Sequence, residues 1–116
     1  MAHIHDLLGQ TLSEVKVVEQ DIILFTLTTG EIYEMGHDQE CCEQVYIESI
    51  VGDLQDLVGH PILLAEESTS EDENTREERQ QWTFYKLATI KGYVDIRWNG
   101  SSNGYYSVSV DFNKLP

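Results

Sequence analysis

Gln81-Trp82-Thr83-Phe84-Tyr85-Lys86, running on through Ile96-Arg97-Trp98 to Asp111-Phe112, is the stretch whose reading decides the fold. It reads as three β-strands joined by a two-residue turn and one glycine-rich loop. Lys91-Gly92 forms the tight turn, Gly92 being free to take positive φ. Asn99-Gly100-Ser101-Ser102-Asn103-Gly104 reads as the longer hairpin loop, because its glycines and asparagines tolerate left-handed backbone. Most of the chain's aromatic side chains and four of its seven basic residues lie in this stretch or at its end.

Strand side chains alternate between two faces. Val94, Ile96 and Trp98 therefore point one way, and Tyr93, Asp95 and Arg97 the other. In the expected partner strand, Tyr106, Val108, Val110 and Phe112 form the apolar set, opposite Tyr105, Ser107, Ser109 and Asp111. Two readings of the polar face stand. One is a solvated sheet surface with Arg97 paired to Asp95 or Asp111, since such ion pairs are common and weak. The other is a shallow nucleotide site, where Arg97 meets phosphate while Phe84 or a tyrosine stacks on a base. The candidate ligand-binding residues on the second reading are Trp82, Phe84, Tyr93, Arg97, Asn99, Asn103 and Tyr105.

Upstream, His3 to Gly9 suggests a short helix ended by glycine. Thr11–Val18, Ile22–Leu27 and Glu31–Met35 read as strands of an antiparallel meander. Gln44–Ile50 is ambiguous between strand and helix. Asp53–Gly59 reads as a second short helix, followed by a strand from Pro61. Asp6-Leu7-Leu8-Gly9-Gln10-Thr11-Leu12 is echoed by Asp56-Leu57-Val58-Gly59-His60-Pro61-Ile62, an echo short enough for shared local physics to explain. Glu66 to Glu78 contains seven carboxylates, one arginine and no aliphatic or aromatic side chain, so a mobile acidic loop is expected at about 66–80. The expected fold is α+β: mostly antiparallel β meander and hairpins with two short helices, in a single domain over residues 1–116.

The 21 acidic residues outnumber the 7 basic ones, leaving a net charge of −14. That field repels nucleic-acid backbone, so no nucleic acid polymer is expected as a partner. It would suit an acidic protein that imitates DNA and docks on a basic host protein. No apolar run approaches a membrane span and no signal-type segment opens the chain, so the expected location is the cytoplasm, with no membrane partner. Cys41 and Cys42 are adjacent, a spacing that rarely bridges, which fits a reducing compartment.

His37-Asp38-Gln39-Glu40-Cys41-Cys42 is rich in metal-capable atoms. A closed zinc site needs four ligands, and the chain offers no second cysteine pair, with His3, His5 and His60 scattered. A metal-dependent enzyme using His37 with Cys41 or Asp38 would carry stoichiometric metal. Cys41 as a nucleophile lacks a nearby base, and dense negative charge should raise a thiol pKa. The chain contains no dinucleotide fingerprint, P-loop or nucleophile elbow. No catalysis, metal or cofactor is expected.

The segment His37-Asp38-Gln39-Glu40-Cys41-Cys42-Glu43 with Val45-Tyr46-Ile47-Glu48 is followed by Gly52-Asp53-Leu54-Gln55-Asp56-Leu57-Val58-Gly59-His60-Pro61. Together with the tail Ile96-Arg97-Trp98-Asn99-Gly100-Ser101-Ser102-Asn103-Gly104-Tyr105-Tyr106-Ser107, it resembles a family of small phage and prophage proteins, the first-described Thoeris anti-defence proteins. The resemblance covers most of the chain apart from the acidic segment. It implies an anti-defence sponge in an infected bacterial host, binding cyclic ADP-ribose isomers made by TIR-domain enzymes and sequestering them intact. It also implies capture of cyclic trinucleotides at a separate site, and assembly into homo-oligomers, dimers or larger.

Overall fold

In the computed structural model, residues 2–19, 21–40, 42–72, 79–102 and 107–116 are described. Eight strands form two four-stranded antiparallel sheets. They are β1 (Leu12–Val18), β2 (Ile22–Leu27), β3 (Ile32–Gly36), β4 (Gln44–Val51), β5 (Leu64–Asp72), β6 (Arg79–Thr89), β7 (Gly92–Ser102) and β8 (Asp111–Lys114). The first sheet has the order β1-β2-β3-β8 and the second β4-β7-β6-β5. Their inner faces share one apolar core: Val15, Ile23, Phe25 and Met35 from the first sheet meet Tyr85, Leu87, Val94, Ile96 and Trp98 from the second. Burying each such side chain contributes about 1.5–3 kcal/mol.

The α+β expectation is overturned. The two helical segments are single 3-10 turns, Ile4–Leu7 and Leu54–Leu57, capped by His3 and Asp53. Four residues cannot repay the cost of helix nucleation, and what holds each turn is its buried leucine, Leu7 or Leu57. The ambiguous segment at 44–50 is strand: Val45, Ile47 and Ile50 pack against the core. The fold is mostly antiparallel β. Among the described residues no helix is long and apolar enough to cross a membrane.

The tail does not fold back as the expected hairpin. Both edges of β7 are already taken, by β6 on one side and β4 on the other. The segment Asn99–Ser102 extends β7, and Asp111–Lys114 crosses to pair with β3. There Phe112 stacks on Tyr33 at 5.3 Å between ring centroids and meets Phe25 edge-on at 6.1 Å. The acidic segment is also more ordered than its composition suggests. β5 runs to Asp72, with Glu66, Ser68 and Ser70 paired to Lys86, Phe84 and Trp82. Backbone pairing to a well-anchored β6 supplies the order that these side chains cannot. The remainder of the expected mobile loop, at 73–78, lies outside the described residues.

The echo between Asp6–Leu12 and Asp56–Ile62 proves to be a tertiary feature. The Gly9 N–H donates to the Ile62 carbonyl (2.8 Å), and the Gly59 N–H donates to the Leu12 carbonyl (2.9 Å). Thr11 and Pro61 bridge between them, and both glycines hold positive φ (81° and 88°). Each half of the chain is then a 3-10 turn, a three-stranded meander and a fourth strand that pairs with the other half's meander: β4 with β7, β8 with β3.

This exchange predicts a single cooperative unfolding transition, because neither meander can open without tearing away the other's fourth strand. Urea titrations followed by far-UV circular dichroism and by fluorescence of Trp82 and Trp98 should share one midpoint. Separated midpoints would mean that the sheets unfold independently.

Candidate functional site

The second sheet turns its outer face to solvent, and strand register sorts its side chains into rows. Tyr46, Asn99, Trp82 and Ser70 form one row; Ser49, Arg97, Phe84 and Ser68 the next; Val51, Asp95, Lys86 and Glu66 a third. Consecutive rows are two residues, roughly 6.5–7 Å, apart along the strands. The second and third rows line a cleft of about 470 Å³.

Arg97 is the centre of this face. Its guanidinium lies 5.6 Å from the centroid of the Phe84 ring, a cation–π contact worth about 0.5–1 kcal/mol at an exposed site. Its Nε is 3.5 Å from Glu48 Oε2, and the same oxygen accepts the Trp82 indole N–H at 3.1 Å. Neither expected partner, Asp95 or Asp111, holds Arg97. Asp111 belongs to the first sheet, and Glu48 reaches Arg97 because β4 carries a bulge there: Ile47 pairs with Trp98 and Ser49 with Arg97, leaving Glu48 as the extra residue. A bulge of this kind re-aims a side chain. The ion pair is exposed and contributes under about 1 kcal/mol.

Of the candidate ligand residues, the structure brings Trp82, Phe84 and Arg97 together, with Asn99 beside Trp82 but buried. Tyr93 shares the face but sits two rows from Arg97, opposite Ala88, and is 68% exposed. Asn103 and Tyr105 lie outside the described residues. Sequence reasoning did not find Glu48, Lys86 or Glu66. The alternation Trp82, Phe84, Lys86 was available as a signal for Lys86. Glu66 needed the register of β5, and Glu48 the position of the bulge.

Beneath the face, Tyr85 is buried, and its phenol is pushed far above the ordinary range by that burial, with the Glu67 carboxylate adding to the effect. On the outer face Arg97 is paired with Glu48, and Lys86 stands between Glu66 and Asp95 in its row. The cleft can offer a cation and an aromatic surface on one side and hydrogen-bond acceptors for hydroxyl or amino groups on the other.

The His37 motif builds a different object. His37 Nδ1 donates to the Ser109 carbonyl at 2.8 Å, and Nε2 stands 3.2 Å from Glu43 Oε2. Both side chains are buried (6% and 0% exposed). Glu43 also accepts from the Glu40 N–H and from Gln39 Nε2. Nearby, burial holds the Asp111 carboxyl above its usual range, an effect that His37 partly opposes and Asp38 reinforces. Both ring nitrogens of His37 are therefore engaged within the protein, tying residues 37–43 to the segment before β8. Cys41, one of the two cysteines of the motif, lies outside the described residues.

No curated protein and no solved structure matches the chain. A family model covers almost all of it, from the first 3-10 turn to β8, including the rows around Arg97 and the His37 clamp. On that match, over residues 5–112, the chain belongs to the family described as a domain of unknown function (DUF7448).

Proposed function

We propose that this domain is a non-catalytic binder of a small nucleotide-type signal, held on the outer face of the second sheet and sequestered there. The observation that carries the reading is Arg97 lying over Phe84, one row from Trp82, in a cleft whose volume falls within the roughly 300–1,000 Å³ of small-molecule sites. A nucleotide presents a base to stack, phosphates for Arg97 and Lys86, and ribose hydroxyls for the surrounding carboxylates. The resemblance to Thoeris anti-defence proteins points, within that class, to cyclic ADP-ribose isomers and cyclic trinucleotides in the cytoplasm of an infected bacterium.

The net charge of −14 opposes an anionic ligand at long range. Screening over about 8–10 Å at physiological salt confines that opposition to the neighbourhood of the site. A homo-oligomer would offset that opposition further by bringing cations from a second copy to the cleft.

The test is thermal unfolding with a panel of nucleotides, with recovery of the ligand after heating. A ligand at 100 times its dissociation constant stabilises the native state by about 2.7 kcal/mol, a shift of several degrees. Recovery of intact ligand supports sequestration, whereas a converted product makes this an enzyme. Arg97→Ala is expected to abolish the shift while leaving the ligand-free midpoint within about 1 kcal/mol of the parent, because only exposed contacts are lost. A chain that responds to no nucleotide would turn the reading to its rival, docking of the acidic surface on a basic protein.

A further inference from the structure

We propose that Glu48 is a built-in competitor for the cleft: its carboxylate fills the seat that an anionic ligand group takes, and ligand entry displaces it. The inference rests on the reading of the cleft as a ligand site. Groups from two different strands meet one oxygen, Glu48 Oε2: the Trp82 indole N–H of β6 donates to it at 3.1 Å, and the Arg97 guanidinium of β7 forms an ion pair with it at 3.5 Å. That convergence on a single anionic oxygen is the pattern by which a phosphate oxygen is held. Glu48 reaches it from the bulge in β4, the point where the strand has one residue more than its partner.

The contact also sets the aromatic surface. While Glu48 engages Arg97, the guanidinium covers Phe84 at 5.6 Å from the ring centroid, so a base meets the guanidinium plane and not the bare ring. Exchanging the Glu48 carboxylate for a ligand phosphate frees Arg97 to follow that phosphate and opens Phe84 for stacking. Exchange is easy because the pair is exposed, the two side chains retaining 46% and 36% accessibility. Glu48 thereby favours ligands that carry both an anionic group and a base, since only these repay its displacement at both positions.

The experiment compares the parent chain, Glu48→Gln and Arg97→Ala in titrations with ADP-ribose, which has a base and a pyrophosphate, and with adenosine, which has the base alone. Tryptophan fluorescence reads the exchange, because Trp82 loses its acceptor while Trp98 stays buried in the core. Glu48→Gln should tighten ADP-ribose binding by up to about fivefold, the size of an exposed ion pair, and leave adenosine unchanged. Equal or weaker ADP-ribose binding in Glu48→Gln, with Arg97→Ala still defective, would overturn the competitor role and leave the cleft standing as a ligand site. If neither ligand binds any of the three proteins, both the site and the role of Glu48 fall.

Discussion

Glu43→Ala is expected to cost about 3–5 kcal/mol of stability, the penalty for removing one partner of a buried charged pair. Glu43 is 1% exposed and accepts from His37, Gln39 and the Glu40 N–H. On the far side, His37 Nδ1 is committed as donor to the Ser109 carbonyl, which can only accept. Alanine removes the carboxylate that His37 Nε2 contacts at 3.2 Å and leaves that ring nitrogen buried without it. Residues 37–43 lose their tie to the segment leading into β8, the strand that the second half lends to the first sheet. Against a usual total stability of about 5–15 kcal/mol, the variant should melt at least about 10 °C lower. Glu43→Gln, which keeps an acceptor oxygen, should lose less. A Glu43→Ala melt within 2–3 °C of the parent (about 1 kcal/mol or less) would show that the clamp is not what joins these segments.

Among the described glycines at positive φ, Gly52→Ala is expected to be the most damaging glycine-to-alanine change. Gly52 holds φ +101° where β4 leaves for the second 3-10 turn, and a Cβ built there would collide with the Tyr93 carbonyl oxygen. Left-handed backbone costs an L-residue roughly 1–2 kcal/mol. Crowding against a backbone oxygen that is itself fixed in the sheet adds about 1–3 kcal/mol. Gly9 supplies the control: it also has positive φ (+81°), but a Cβ there meets nothing within 4 Å. Gly9→Ala should therefore lose only the backbone contribution. Equal unfolding midpoints for the two variants would refute the steric part of the argument. Because Val51 and Asp95 line the cleft beside this contact, Gly52→Ala should also weaken whatever ligand the cleft holds.

The sequence by itself determined the features that depend on neighbours within a few residues. Alternation in β7 placed Val94, Ile96 and Trp98 in the core and Tyr93, Asp95 and Arg97 outside. A two-residue turn does join β6 to β7, but it is Ile90-Lys91 and not Lys91-Gly92: Gly92 opens β7 opposite Thr89, without positive φ. The sequence also located Trp82, Phe84 and Arg97, which register then brings to adjacent rows. Reading the two turns after His3 and Asp53 as helices led to α+β, because a helical start looks the same whether one turn or several follow. Only the tertiary structure decided that β4 and β8 are exchanged between sheets, that Glu66–Asp72 is ordered by pairing with β6, that His37 and Glu43 form a buried clamp, and that a bulge sets Glu48 on Arg97 and Trp82. The physical reason is range. Side-chain period and turn geometry are written in residues a few positions apart, whereas strand order and register follow from closing one core around apolar groups distant in the chain, and the outer-face contacts inherit that register.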